Sequence, residues 1–444
     1  MFFQYNWRHK LSYPLRDIPQ SGTTEATHQI IIELAGRKAD RITSLVDSYQ
    51  GKIHREMKLV HSLVADCPHS SLEELARSRY VKKLWHDAPV YAQLDVAVPT
   101  VGGSYLHELG ITGKDSVIAV LDTGIYPHPD FILPNKRIIA WRDLINQKPF
   151  PYDDNGHGTH IAGIIAGNGM LSKGKYKGLA PDAKLIGVKA LRSDGTGTVS
   201  HIISGIEWCL ENLSKLKIKI LNLSIGSAAQ ESYLLDPLCR ATTTAWNKGL
   251  MVCVAAGNSG PGANSIDTPG INPRVITVGN IDDRETLSRD DDQLNKSSGR
   301  GPTIDNYAKP NLVAPGTNIT STWLNSSYKT LTGTSMATPV VSGAIALILE
   351  KWPSLTPDQV KRLILKNTRN LGLKPTMQGA GAIDLEKIVT STQVKASQGK
   401  SIKRILGYHL LDSIIKQYNI DSPWFKKKRD EAIKNFLATW INTL

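Results

Sequence analysis

Ser116-Val117-Ile118-Ala119-Val120-Leu121-Asp122-Thr123-Gly124 is a short apolar run that stops at an acid, a hydroxyl and a glycine. Six residues without polar alternation read as a strand buried on both faces, and the polar end reads as a loop. The same texture recurs at Lys184 to Ala190, Ile218 to Ser224, Met251 to Ala256 and Val275 to Val278, with helical patterns between the runs. Strands alternating with helices predict an α/β unit: a parallel sheet in three layers, with helices on both faces and functional loops at the carboxyl ends of the strands.

Outward toward the N-terminus, the pattern changes. Gln29 to Leu34 reads as a strand and Ala39 to Tyr49 as a helix with Ile42, Leu45, Val46 and Tyr49 on one stripe. Lys52 to Val64 reads as a hairpin, Ser70 or Ser71 as the cap of a helix reaching Arg79, and Val81 to Trp85 as a closing strand. The order βαββαβ predicts a small ferredoxin-like α+β domain. The C-terminus carries two amphipathic patterns, from Ile402 to Tyr418 and from Phe425 to Ile441, which predict a helical hairpin. The expected divisions are an N-terminal extension over 1–27, the small domain over 28–99, the large domain over 100–390 and a basic helical tail over 391–444.

Of the net charge of +13, residues 391–444 supply +6, so any polyanion would meet the tail; a hairpin docked on the large domain with its cationic face in water is expected, with binding of an anionic membrane surface, nucleic acid or a partner as the alternative. No run approaches the roughly 18 apolar residues of a membrane span. No secretory h-region is readable in the first twenty residues, and Cys67, Cys209, Cys239 and Cys253 lack metal-ligand or redox spacing. Reduced thiols and a cytoplasmic location are expected, with export by a route other than Sec as the alternative.

Three segments carry chemistry: Asp122-Thr123-Gly124, Asn155-Gly156-His157-Gly158-Thr159-His160 and Gly333-Thr334-Ser335-Met336-Ala337-Thr338-Pro339. Amide hydrolysis by a hydroxyl needs a nucleophile, a base and an acid that orients the base; Ser335, His157 and Asp122 are residues for those roles. His157 and Ser335 each open an apolar helical pattern, and the Ser335 N–H at a helix start can face a developing oxyanion. Asn258, after the strand Met251 to Ala256, can supply a second donor. His160 reads as structural.

The order Asp122, His157, Asn258, Ser335, each among small residues, resembles the subtilisin family of serine endopeptidases over about Thr100 to Ile388. The resemblance implies the subtilisin-like form of the α/β fold and acyl-enzyme hydrolysis of proteins or peptides without a chemical cofactor. It implies that Ser224-Ile225-Gly226 and Gly195-Thr196-Gly197 bind extended substrate as added strands, and that Ala255-Ala256-Gly257 wall the primary specificity pocket. Alignment at Pro269-Gly270 puts Asp267 near that pocket's floor, which would favour Lys or Arg. The small domain resembles the family's inhibitory propeptide, an intramolecular inhibitor cut from a zymogen within Ala88 to Pro99. Among family members the chain looks most like the intracellular bacterial branch. Asp130 matches a calcium ligand of many secreted members, but Lys173, Lys175 and Lys177 in the facing loop argue against the ion, leaving structural calcium optional. An inactive peptide-gripping scaffold is the competing reading.

Overall fold

Val117–Asp122 forms strand β6 with every residue buried, as an unalternating apolar run should. The computed structural model describes residues 7–12, 15, 27–36, 39–87, 89–92, 100–284, 286 and 288–396. The chain divides into two compact units, 1–388 and 389–444. The expected tail hairpin lies outside the described residues.

The first unit begins with β1 (Thr27–Leu34), helix α1 (Ala39–Ser48), β2 (Lys52–Met57), β3 (Ser62–Pro68), α2 (Leu72–Arg77) and β4 (Val81–His86). These strands make one antiparallel sheet in the order β2-β3-β1-β4. Alternation sets its two faces: Ile30, Ile32, Leu63 and Leu84 pack with Ile42, Val46 and Leu75 of the two helices. Ile31, Val64 and Trp85, one residue out of phase, are also buried and lie on the other face. Ser71 stands at the start of α2, but its hydroxyl donates to the Pro68 carbonyl and caps no helical N–H, contrary to expectation. The hairpin also runs four residues further than the alternation suggested, to Pro68.

A short strand, β5 (Pro89–Ala92), leads from this sheet toward the large one. After β6 come β7 (Ile138–Asp143), helix α3 (His157–Ala166), β8 (Lys184–Lys189), β9 (Thr196–Thr198) and α4 (Val199–Glu211). Then follow β10 (Ile220–Leu223), β11 (Ile225–Ala228), α5 (Pro237–Asn247), β12 (Met251–Ala255), β13 (Asp267–Thr268) and β14 (Ile276–Asp282). Among the elements that follow are β15 (Gln293–Leu294), β16 (Leu312–Pro315), the hairpin β17 (Ile319–Trp323) with β18 (Ser327–Leu331), and α6 (Thr334–Lys351).

The central sheet runs β15-β14-β12-β10-β6-β8-β7, with β16 also beside β14. All its pairings are parallel except β14 with β15. Helices α3 and α6 pack together, as do α4 and α5, sandwiching the sheet in the expected three layers. From β6 the chain goes first to the edge strand β7, returns to β8 between the two, then crosses to β10 on the other side of β6. That reversal opens a crevice at the carboxyl ends of β6 and β10, where α/β folds bind ligands. Asp122 ends β6 and Ser224 follows β10.

The small sheet packs its second face against α4 and α5. Polar pairs fasten it: the Leu59 N–H donates to Glu207 Oε1 at 2.8 Å, Arg240 pairs with Glu33 at 2.5 Å and Lys83 with Glu231 at 3.1 Å. Among the described residues no helix is long and apolar enough to cross a membrane.

Candidate active site

Asp122 is fully buried, and its Oδ1 accepts the Thr123 N–H at 2.7 Å and meets His157 Nδ1 at 2.7 Å. Its Oδ2 meets no donor among the described residues. A buried carboxylate at Nδ1 favours the imidazole tautomer that carries its proton there. The loop before His157 is knotted by Asp153, whose Oδ1 accepts the Asn155 and Gly156 N–H groups and whose Oδ2 accepts from Thr159. Gly158 is required by contact: a Cβ there would sit 2.1 Å from the Gly124 carbonyl. The loop after Asp122 is held from below by the buried Lys189 ammonium, which donates to the Thr123 and Leu191 carbonyls and pairs with Asp154 at 2.5 Å.

Ser335 is the second residue of α6 and is fully buried. Its N–H lies too near the helix start to have a helical acceptor. Its Oγ donates to the Ser224 carbonyl at 3.1 Å. Asn258 follows the end of β12, and its Oδ1 accepts the Thr334 N–H at 3.0 Å and the Thr334 hydroxyl at 3.2 Å. Those bonds turn its Nδ2 end away from Thr334. The same hydroxyl accepts the Gly257 N–H at 3.2 Å, so Thr334 orients the whole carboxamide turn.

The two edge segments flank an extended strand of the chain itself. Strand β5 pairs antiparallel with β9, Tyr91 against Thr196 and Val90 against Gly197. On its other side it pairs antiparallel with β11, Ile225 against Ala92 and Gly226 against Tyr91. Gly195 turns the chain into β9 with φ at +82°. A four-stranded sheet β13-β11-β5-β9 results, with main-chain hydrogen bonding that is indifferent to side chains. Ala88 and residues 93–99, the rest of the expected processing stretch, lie outside the described residues.

Asp267 lies on β13 with its neighbour Thr268 opposite Ser227 of β11, and it is buried. Its carboxylate packs on Gly257, whose φ is +102°, and a Cβ there would stand 2.5 Å from Asp267 Oδ2. Ala255 and Ala256 are buried just before that turn. Asp267 thus lies beside Gly226 and Gly257.

His160 does not join this group. Its Nε2 reaches the Ile319 and Lys329 carbonyls at 3.2 and 3.0 Å, and burial presses its pKa down to about 3. Asp130 also stands apart, with its carboxylate committed to Leu171 and Tyr328. Among the described residues no group of three or more His, Cys, Asp and Glu side chains could hold a metal. In the stretch that carries Asp282, Asp283, Asp290, Asp291 and Asp292, Asp292 pairs with Arg369 and Asp283 accepts the Thr100 hydroxyl. Thr334, Lys189 and Asp153 were missed from sequence; only the small-residue settings around His157 and Ser335 hinted that their neighbours mattered.

The sequence profile of the subtilase family, peptidase S8, matches residues 113–407. Serine protease AprX of Bacillus subtilis (strain 168) is 43% identical, over 74% of this chain and 76% of its own. A thermostable alkaline protease of Halalkalibacterium halodurans is 32% identical, over 77% of this chain and 86% of its own. Subtilisin BL of Lederbergia lenta is 36% identical, over 63% of this chain and 93% of its own.

Proposed function

This chain belongs to the subtilase family of serine peptidases, and we propose that Ser335 is its nucleophile, His157 its general base, Asp122 the orienting acid and Asn258 an oxyanion donor. Its substrates are proteins or peptides. His157 Nε2 takes the Ser335 Oγ proton as Oγ attacks the scissile carbonyl, and Asp122 stabilises the imidazolium that forms. The oxyanion is met by the Ser335 N–H and Asn258 Nδ2. Collapse breaks the C–N bond, His157 returns the proton to the leaving amine, and water then hydrolyses the acyl-enzyme by the reverse transfers.

One observation carries this reading: β5 lies as a peptide strand between β9 and β11, and β11 opens just after Ser224, the residue on which the Ser335 hydroxyl rests. The cleft therefore accepts extended backbone in the orientation that leads it to Ser335. Because that strand belongs to residues preceding the large sheet, the N-terminal sheet acts as an intramolecular inhibitor and the chain processes itself. Asp87 supports the docking, since its buried carboxylate accepts both the N–H and the hydroxyl of Ser200 at the start of α4.

The Asp267 carboxylate beside Gly226 and Gly257 supports a preference for Lys or Arg before the cut bond. The four cysteines are buried and unpaired, which supports a reducing, cytoplasmic setting. The decisive experiment compares the full chain with its Ser335→Ala variant for self-shortening and for digestion of an unfolded protein. Activity confined to the Ser335 form upholds the assignment; inactivity of both would mean a peptide-gripping scaffold.

A further inference from the structure

The position of Asp130 is where resemblance implies a calcium ion, and its fit to one can be tested from the donors around it. Calcium takes six to eight hard oxygens at roughly 2.3–2.6 Å, usually several from carboxylates. Asp130 is the carboxylate at hand, and both its oxygens are engaged: Oδ1 accepts the Leu171 N–H at 3.0 Å and Oδ2 accepts the Tyr328 hydroxyl at 2.8 Å. The amide oxygen of Asn168, the next candidate, accepts the Met170 N–H at 3.0 Å. The facing loop adds three exposed ammonium groups, on Lys173, Lys175 and Lys177. These residues do not fit the ion.

A cation is nevertheless present. Arg137 is buried, and its guanidinium donates to the Ala166 carbonyl at 2.5 Å, to the Ala183 carbonyl at 3.3 Å and to the Asp130 carbonyl. Main-chain carbonyls converging on one positive charge are what a bound ion would otherwise gather, and a planar guanidinium meets them with fixed donors. The rings around Asp130 complete the packing: His128 and Tyr176 lie 5.3 and 4.9 Å from Tyr328 between centroids.

We propose that Arg137 and Tyr328 close the Asp130 site with protein groups alone, so that the loop between α3 and β8 is held without calcium. This goes beyond the peptidase reading and does not depend on it. It would keep the fold stable where free calcium is scarce. The site also matters to the chemistry indirectly, since Asp130 lies on the segment that leaves Asp122 and the Ala166 carbonyl ends the helix that starts at His157.

The test is thermal unfolding of the full-length Ser335→Ala chain, which cannot digest itself on the reading above, in EDTA and in millimolar calcium chloride. The expected result is the same Tm in both. An ion bound well above its Kd raises Tm by several degrees; such a rise, abolished by Asp130→Asn, would overturn the proposal. A rise that survives Asp130→Asn excludes Asp130 as a ligand and supports it. Arg137→Gln should lose several degrees that calcium does not restore, and an unchanged Tm there would also overturn it. Should that variant fail to fold, Tyr328→Phe removes a single hydroxyl and is expected to lower Tm equally in EDTA and calcium; calcium restoring its Tm would sink the idea.

Discussion

Ser224 and Ser335 hold each other by two hydrogen bonds: Ser224 Oγ donates to the Ser335 carbonyl at 2.7 Å, and Ser335 Oγ donates to the Ser224 carbonyl at 3.1 Å. The first bond exists because Pro339, four residues on, has no N–H for that carbonyl. Behind Ser224 stands Asn222, whose Nδ2 donates to Ser224 Oγ and whose Oδ1 accepts from Ser342. The Ser335 backbone is thus fixed to the strand that precedes Ser224.

Ser224→Ala should therefore lower kcat about tenfold, the worth of one hydrogen bond of about 1–1.5 kcal/mol, with KM little changed. Steady-state kinetics on a chromogenic peptide decides it. A rise in KM alone would assign Ser224 to substrate binding and not to positioning.

Thr334 orients Asn258 through its N–H and hydroxyl. Removing the Asn258 carboxamide should cost about 10²–10³ in kcat, a magnitude taken from a subtilisin and carried over within the family. Thr334→Val keeps the shape and loses the hydroxyl, so a loss of about tenfold in kcat is expected. Thr334→Ser should recover most of it; if it does not, the methyl group and not the hydroxyl is what matters.

Asp122, His157, Asn258 and Ser335 were legible because each closes an apolar strand or opens an apolar helix among small residues, a local signal. Their supports were not. Thr334 meets Asn258 across 76 residues and Lys189 meets Asp154 across 35, and no local pattern announces a hydrogen bond between distant segments. Missed strands have the same kind of cause. At the sheet edge, β7 is buried only at Ile138 and Asp143, and β18 only at Leu331, so neither shows the apolar run that revealed β6. Ser71 looked like a cap because it precedes two glutamates, yet the preceding turn takes its hydroxyl.

Asp267 gives a prediction on specificity. If the Asp267 carboxylate, buried on β13 next to β11, lines the primary pocket, it favours a cationic substrate side chain over an apolar one. The native enzyme should cleave after Arg or Lys in preference to Phe or Leu. Asp267→Asn should cut that preference by about tenfold or more, equivalent to at least about 1.4 kcal/mol of differential interaction. Equal kcat/KM for the two classes in the native enzyme would remove Asp267 from the pocket.

His160 predicts an acid limit to stability. Its folded pKa is lowered to about 3, first by burial, while the unfolded chain takes up the proton near 6.5. Between those values the unfolded state binds more protons, so stability falls as pH drops from about 6.5 toward 3, by up to about 1.4 kcal/mol per pH unit. Urea unfolding of the Ser335→Ala chain at a series of pH values should show this slope. His160→Gln, though less stable at neutral pH, should show a shallower one; an unchanged slope would assign the acid sensitivity to other groups.

If the chain processes itself as proposed, the register of β5 predicts where it is cut. Ala92 faces Ile225 and Tyr91 faces Gly226, so each step forward along β5 is a step back along β11. Carried one residue further, the same register would set the chain opposite Ser224, the residue on which the Ser335 hydroxyl rests. Cleavage is expected at the first or second peptide bond after Ala92, giving a new N-terminus at Gln93 or Leu94. Mass spectrometry of the native product, with Ser335→Ala as the uncut control, reads this directly. Asp87→Ala should loosen the anchor on Ser200 and shorten the lag before peptide hydrolysis begins. A new N-terminus beyond Pro99, or a lag indifferent to Asp87, would mean that β5 occupies the cleft without being presented to the nucleophile.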